Sequence, residues 1–171
     1  MTLPASGTIS IDAIRIELGV PSATGLTMSG LPNGSPVPIN VWSASKPSTS
    51  APYLMTSWYN YNHAATAPNI TSFVVLATTD PLYGGFNASW SYVSGSSLNV
   101  TDTYLDYSFD YGATYSQFQY LSGTGTTSIV DSVEGLPGFT SLDNTYFRLR
   151  AYANGTQVPN SPLYAYPPFP I

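Results

Sequence analysis

The chain contains 171 residues with a formal net charge of -5, and only 8% of them are charged. Its four Lys and Arg residues are too few and too scattered to form the cationic surface that nucleic acid requires, which excludes this class of partner. A hydrophobic fraction of 43% excludes a natively disordered chain, and the lack of cysteine excludes disulfides and thiolate chemistry. Since the sequence holds neither a membrane-spanning apolar stretch nor a signal-peptide pattern, we expect no membrane insertion and no leader.

The first predicted element is a short amphipathic helix within residues 1–20, MTLPASGTISIDAIRIELGV. Ser10 is a favourable N-cap, Asp12 follows in the first turn, and Gly19 is placed to end the helix. The apolar face of the helix consists of Ile11, Ile14 and Leu18. A helix of about two turns is not stable alone in water, so we expect this face to dock on another surface.

The region after the helix is rich in proline and aromatic residues. Residues 30–40, GLPNGSPVPIN, contain three prolines, which favours turns and extended backbone over helix. Apolar residues alternate with Pro and Asn over 37–41, which predicts a short edge strand. Trp42, Trp58 and Tyr61 are large groups that either form a small core around the helix or are exposed as a docking surface. Both interpretations remain open at this point.

Small residues at 64–68 form a predicted linker, and the pattern changes after it. Seven segments of alternating apolar and polar residues follow, separated by turn signals: 70–78, 86–93, 103–112, 116–123, 127–133, 145–155 and 161–169. About seven strands at this spacing predict a mainly β fold, with a Greek-key β-sandwich over 69–171 behind a small irregular domain over 1–63. The expected sandwich core consists of Phe73, Val75, Phe86, Trp90, Tyr146 and Leu149.

Details of the second region resemble fibronectin type III and related immunoglobulin-like domains. Trp90 stands where that family keeps a core tryptophan on its second strand. Residues 135–166, GLPGFTSLDNTYFRLRAYANGTQVPNSPLYAY, resemble the family's penultimate hairpin and its Ser-Pro entry to the last strand. The resemblance implies an immunoglobulin-like sandwich, a fold that by itself assigns no function.

No arrangement of residues in the sequence predicts catalysis, a cofactor or a metal site. His63 is the only histidine, and a metal centre built on His or Cys needs several such residues. Five acids are conceivable as a glycoside hydrolase pair, namely Asp102, Asp106, Asp110, Asp131 and Glu134. The simpler interpretation is that the aspartates at 102, 106 and 110 lie on the exposed polar face of a sandwich strand. We therefore expect a protein that is not an enzyme.

Tyrosine is the most abundant aromatic residue, with 14 copies, more than one sandwich core holds. Tyrosine gives a large contact area at a low cost in conformational entropy, which suits interfaces. Packing between subunits is one explanation. Binding of a host-surface glycan through exposed rings is the alternative.

The opening segment, together with a later one, resembles small virion proteins of tailed bacteriophages. Those proteins often begin with Leu-Pro-Ala-Ser-Gly and an Ile-Ser helix that ends in Glu-Leu-Gly, which here are residues 3–7, 9–10 and 17–19. Their later Pro-x-Ser-Met-Ser-x-Phe/Trp-Tyr-Gly segment is similar to 51–59, APYLMTSWY. Asn60 replaces the usual Gly, and asparagine tolerates left-handed backbone better than most residues.

This resemblance implies a virion structural protein, assembled in the bacterial host cytoplasm, that docks through residues 1–63 and displays the sandwich outward. The implied partners are other virion proteins and further copies of the chain, with a host glycan as the alternative. The expected docking interface consists of Leu3, Pro4, Ile9, Ile11, Ile14, Leu18, Trp42, Tyr53, Met55, Trp58, Tyr59 and Tyr61.

Overall fold

A computed structural model describes residues 2–22, 26–78, 81–122 and 127–165. The chain forms two compact units. The N-terminal unit comprises 1–66 together with 95–98, and the β-unit comprises 67–94 together with 99–171. The main segment of the N-terminal unit ends at residue 66, inside the segment 64–68 that was predicted to be a linker. The unit also includes four residues from the connection between two later strands, which the sequence did not predict. In the described residues, no helix is long and apolar enough to cross a membrane.

The N-terminal unit is built around one α-helix, α1 (Ile11–Glu17), as the sequence predicted. The Ser10 side chain caps the helix by accepting a hydrogen bond from the Ala13 N–H at 3.1 Å. Two short 3-10 helices, Leu31–Asn33 and Met55–Trp58, follow it along the chain. The core of the unit consists of Leu3, Ile9, Ile14, Leu18, Val20, Leu31, Trp58 and Tyr61.

The edge strand predicted over 37–41 is wrong. Residues 38–40 have no regular secondary structure, because the backbone and side chain of Asn40 bond to other groups instead of to a neighbouring strand. The Asn40 N–H donates to the Tyr61 hydroxyl at 2.8 Å, and its side-chain oxygen accepts from the Trp42 N–H at 2.9 Å. Pro38 has no N–H to give to a ladder. Val37 and Ile39 pack partly buried against the core of the unit, whereas Val41 is exposed, so the alternation in this stretch is not a strand pattern.

In the part of the chain that the structure describes, the β-unit contains eight strands in two antiparallel sheets, which agrees with the predicted mainly β fold. The strands are β1 (Asn69–Ala77), β2 (Gly85–Val93), β3 (Asp102–Ser108), β4 (Ser116–Ser122), β5 (Ser128–Ser132), β6 (Tyr146–Ala153), β7 (Thr156–Gln157) and β8 (Leu163–Ala165). One sheet has the order β1-β2-β5, and the other has the order β4-β3-β6-β7 with β8 also paired to β6. Of the predicted last strand, residues 166–169 lie outside the described residues, as does the end of the predicted domain at 171.

Both sheets contribute to one hydrophobic core, in a sandwich-like arrangement. In β2, Phe86, Ala88 and Trp90 are buried while Ser89 and Ser91 are exposed, so the period-two pattern read from the sequence is the burial pattern. From the second sheet, Leu105, Phe147, Leu149 and Ala151 join the same cluster. Of the six predicted core residues, four lie in the buried cluster: Val75, Phe86, Trp90 and Leu149. Phe73 packs against that cluster and is partly buried, while Tyr146 lies outside it.

Candidate functional site

The two segments that carry the phage resemblance lie against each other in the N-terminal unit. The Leu3 N–H donates to the Tyr61 carbonyl at 2.9 Å, and the Asn60 N–H donates to the Pro4 carbonyl at 3.1 Å. Asn60 has a φ of 59°, so the left-handed conformation is adopted where the resembling proteins have glycine. The opening segment and the aromatic segment are therefore parts of one folded structure.

A network of polar groups ties the same unit together. The His63 N–H donates to the Glu17 carboxylate at 2.7 Å, and the Asn40 amide donates to the carbonyls of His63 and Ala65 at 2.7 and 2.8 Å. The Tyr61 hydroxyl lies 2.9 Å from Nδ1 of His63. Burial of the phenol raises the pKa of Tyr61 above its usual value. The one histidine thus has a structural setting beside the helix, and a catalytic role has no support from these contacts.

The structure separates the predicted docking residues into buried and accessible groups. Six form part of the unit's own core: Leu3, Ile9, Ile14, Leu18, Trp58 and Tyr61. The other six are partly buried or exposed: Pro4, Ile11, Trp42, Tyr53, Met55 and Tyr59. For the first six, the local-core interpretation applies, because a fully packed side chain has no surface left to offer a partner.

Exposed aliphatic residues occur in the N-terminal unit at positions that were not predicted. Ile16 is 50% exposed on α1, and Leu54 is 54% exposed just before the second 3-10 helix. Ile16 lies off the helix face formed by Ile11, Ile14 and Leu18. This position is the feature of the sequence from which its exposure could have been predicted. Val41 is also exposed, and none of the three side chains belongs to the buried core of the unit.

A second candidate surface is the face of the β4-β3-β6 sheet opposite the core. We call it the Tyr–Arg face. In the register of the sheet, Tyr104 lies opposite Tyr120 of β4 and Arg150 of β6, and Asp106 lies opposite Arg148 of β6. Half of the chain's 14 tyrosines belong to this face by register or ring contact: Tyr104, Tyr111, Tyr115, Tyr120, Tyr146, Tyr152 and Tyr164. The concentration of tyrosine on one face was not predicted.

Asp106 lies at the centre of the Tyr–Arg face and corrects the prediction of an exposed polar strand face. Its side chain is 0% exposed, and it forms ion pairs with Arg148 and Arg150 on the adjacent strand β6. Arg150 binds both carboxylate oxygens, through Nε at 2.6 Å and Nη2 at 2.8 Å. Arg148 binds Oδ2 through Nε at 2.8 Å and Nη2 at 2.7 Å. These bonds raise the pKa of Arg150, with the hydrogen bond to Asp106 as the largest cause.

Each of the two arginines also stacks on a tyrosine ring. The guanidinium carbon of Arg148 lies 4.3 Å from the ring centroid of Tyr115, and that of Arg150 lies 4.8 Å from the centroid of Tyr104. These distances are typical of cation–π contacts. The ion pairs and the rings hold both guanidinium groups in place, so the face is pre-organised.

The other four acids proposed for hydrolysis do not share the buried setting of Asp106. Asp102 accepts from the Tyr120 hydroxyl at 2.6 Å and from Thr101, which lowers the pKa of its carboxyl. Asp110 accepts from the hydroxyls of Ser108 and Thr114 at 2.6 Å each, and these bonds lower its pKa to about 2. Asp131 and Glu134 are exposed. Low pKa values suit carboxylates that accept hydrogen bonds, whereas a general acid needs a raised one.

A pocket of about 320 Å³ opens beside the Asp110 turn, between that turn and residues 137–138. Tyr107 and Phe109 form its aromatic wall, and Ser116 and Thr114 contribute hydroxyls. Among the described residues, no group of three or more His, Cys, Asp or Glu side chains is placed to hold a metal ion. The arrangement of the pocket is suited to contact with a polar ligand and carries no reactive pair.

Comparison with known proteins adds no assignment: no family model, no curated protein and no solved structure matches this chain.

Proposed function

We propose that the chain is a structural protein of a tailed-bacteriophage virion, assembled in the cytoplasm of the bacterial host. In this proposal the N-terminal unit attaches to other virion proteins, and the β-unit is displayed outward in several copies. One observation carries the proposal: the two segments that resemble virion proteins bond to each other in a single unit, which leaves Ile16 and Leu54 exposed. In this proposal, the surface around these two exposed aliphatic side chains is the interaction site.

The β-unit is proposed to be an immunoglobulin-like domain of the fibronectin type III kind. Its first, second and fifth strands share a sheet, while its third, sixth and last strands share the other. This order differs from that of constant-type immunoglobulin domains in the fourth strand, which here pairs with the third. The domain is proposed to have no catalytic activity, since Asp106 is held in two ion pairs and Asp102 and Asp110 accept structural hydrogen bonds.

Attachment through the N-terminal unit is tested with the double variant Ile16→Ser/Leu54→Ser in the full chain. Both side chains are exposed, so the fold should persist while the apolar contact is lost. We expect the amount of protein in purified particles to fall at least about tenfold, as loss of two interface anchors costs more than 1.4 kcal/mol. The measurement is quantitative mass spectrometry of particles from an infected culture.

The matched control is Val130→Ser, which removes an exposed aliphatic side chain from the β-unit instead. This variant should enter particles at the level of the unmodified chain. Normal incorporation of the double variant would contradict attachment through this surface.

A second function is favoured by the Tyr–Arg face: binding of a host-surface glycan by the β-unit. Tyrosine rings stack on the C–H faces of sugars, and phenol and guanidinium groups donate hydrogen bonds to hydroxyls. Tyr164 is 59% exposed on this face, and its ring contacts that of Tyr115. In a glycan array, Tyr164→Ala should weaken every glycan signal of the full chain, whereas unchanged signals would exclude this face.

A further inference from the structure

We infer that the Tyr–Arg face is a site for an acidic glycan, with Arg148 binding a sugar carboxylate and Tyr164 contacting the sugar ring. The inference rests on the proposed glycan-binding function and names its ligand class and its contact residues.

The distribution of charge favours an anionic ligand at this face. Arg148 and Arg150 are the only cations after residue 66, whereas seven acids lie in the same part of the sequence. The two arginines share a single carboxylate, that of Asp106, so the centre of the face has one surplus positive charge. Two further acids lie near the face: Asp102 is two residues along β3 from Tyr104, the partner of Arg150, and Asp110 is within electrostatic range of Tyr115. Arg148 and Arg150 are thus the cationic groups in this part of the sequence that an anionic ligand could contact.

Arg148 retains donors for a second carboxylate. Asp106 occupies the edge of the guanidinium formed by Nε and Nη2. The other edge, formed by Nη1 and the second N–H of Nη2, has the fork geometry that binds a carboxylate with two parallel hydrogen bonds. No described residue bonds to Nη1, and the side chain is 25% exposed. Arg148 therefore pairs inward with Asp106 and presents donors outward.

Two tyrosine rings lie next to Arg148. Tyr115 lies under the guanidinium of Arg148, and Tyr164 packs against Tyr115 with 5.9 Å between the ring centroids. Tyr164 also lies directly opposite Arg148 in the pairing of β8 with β6. An exposed ring and a held cation are thus neighbours on a flat sheet face.

A sugar acid satisfies both features better than an acidic peptide does. In a uronic acid the carboxylate is attached directly to the pyranose ring, so one rigid ligand places its charge at Arg148 and its ring at Tyr164. An Asp or Glu side chain of a peptide must lose side-chain and backbone freedom to make the same ion pair, which weakens binding. The pre-organised face thus favours the rigid ligand.

The test compares the full chain's affinity for a tetrasaccharide of galacturonic acid with its affinity for the same tetrasaccharide after reduction of each carboxyl to an alcohol. We expect calorimetry to give at least about tenfold tighter binding of the acidic form, because the charge-assisted bidentate contact is lost on reduction. The preference should decline with added salt.

Arg148→Gln is the diagnostic variant, because Arg150 alone still binds both oxygens of Asp106. This variant should bind the acidic form about tenfold more weakly and the reduced form unchanged. Lys46→Gln is the matched control, since it removes the same charge from an exposed residue of the N-terminal unit, and it should bind like the unmodified chain.

Four results would overturn the inference, and they differ in what they leave standing. Equal affinity for the acidic and reduced forms leaves glycan binding in place and removes its acidic specificity. If the chain binds neither form and no glycan on the array, both the glycan-binding function and its acidic specificity are wrong. An acidic preference that persists in Arg148→Gln places the site elsewhere. Stronger binding of an oligoglutamate peptide than of the acidic sugar, lost in the same variant, assigns the face to an acidic protein.

Discussion

Asp106 is a fully buried carboxylate paired with two arginines in the β-unit. It is held on the face of the sheet away from the core by two arginines from one neighbouring strand. Its partners lie 42 and 44 residues further along the chain, and one of them sits diagonally across the sheet. A pattern read along β3 holds no sign of this pairing, so the sequence predicted an exposed acid. The sequence shows that tyrosine is abundant, but it did not predict that half of the tyrosines share one face, because that face depends on the register of three strands.

Replacing Asp106 with alanine should destabilise the protein strongly. The change leaves two partly buried guanidinium groups without their shared partner, and breaking a buried pair from one side costs about 3 kcal/mol or more. Urea unfolding followed by tryptophan fluorescence measures this loss. Glu134→Ala, at an exposed acid, is the control and should change the unfolding free energy by about 0.5 kcal/mol or less. Equal effects of the two variants would mean that the ion pairs contribute nothing.

Asp110 gives a prediction for pH. Its folded-state pKa of about 2 is lower than the ordinary value of 3.8, so its hydrogen bonds stabilise the folded state above pH 3.8. That contribution is lost as the pH falls from 3.8 through 2. A carbon-detected NMR titration should place the midpoint of the Asp110 carboxyl near 2, and Thr114→Val should move it upward because one hydroxyl donor is gone. A midpoint that stays the same in this variant would show that the Thr114 hydroxyl does not stabilise the carboxylate.

At the scale of elements, the strands follow the local patterns and the irregular segments do not. The alternation of Phe86, Ala88 and Trp90 identified β2, because one face of that strand is packed and the other is exposed. The similar alternation over 37–41 belongs to backbone held by Asn40 and Tyr61, which is a contact between residues 21 positions apart. Only Val37 and Ile39 of that stretch pack against the core, and Val41 is exposed. Alternation by itself therefore gives no information about whether a neighbouring strand is present.

The cap of α1 is the element-scale prediction. Ser10→Ala removes the acceptor for the Ala13 N–H and should lower the stability of the N-terminal unit by about 1 kcal/mol. Hydrogen exchange of the α1 amides, followed by NMR, should speed up accordingly. Ser10→Asp retains an acceptor at the same position and serves as the control. Faster exchange in both variants would contradict the capping role.

At the scale of the whole molecule, the chain has two hydrophobic cores that share no residue. The core of the N-terminal unit contains Trp58 and Tyr61, which meet edge to face with 5.2 Å between ring centroids. The sequence left open whether these rings formed a core or a docking surface. The sequence alone does not distinguish these two alternatives, because the exposure of the rings depends on whether the seven-residue helix α1 packs over them.

Trp58→Ala should therefore act on the N-terminal unit. Removal of a fully buried indole costs about 3 to 5 kcal/mol through lost burial and the cavity left behind. Hydrogen exchange monitored by mass spectrometry should show the largest increase in peptides from residues 2–22 and 55–66. Phe147→Ala is the matched control in the other core and should have its largest effect on β3 and β6 peptides. The same exchange profile for both variants would contradict two separate cores.

The four residues at 95–98, between β2 and β3, belong to the N-terminal unit. Within that unit, Thr66 and Ser96 bond to each other twice: each backbone N–H donates to the other's side-chain hydroxyl, at 2.8 and 3.0 Å. Neither unit is a single uninterrupted stretch of chain. A gene rearrangement with one junction near residue 66 would therefore move the β-unit together with four residues that pack in the other unit. Transfer of the β-unit to another protein requires a compatible loop at 95–98 as well as compatible ends.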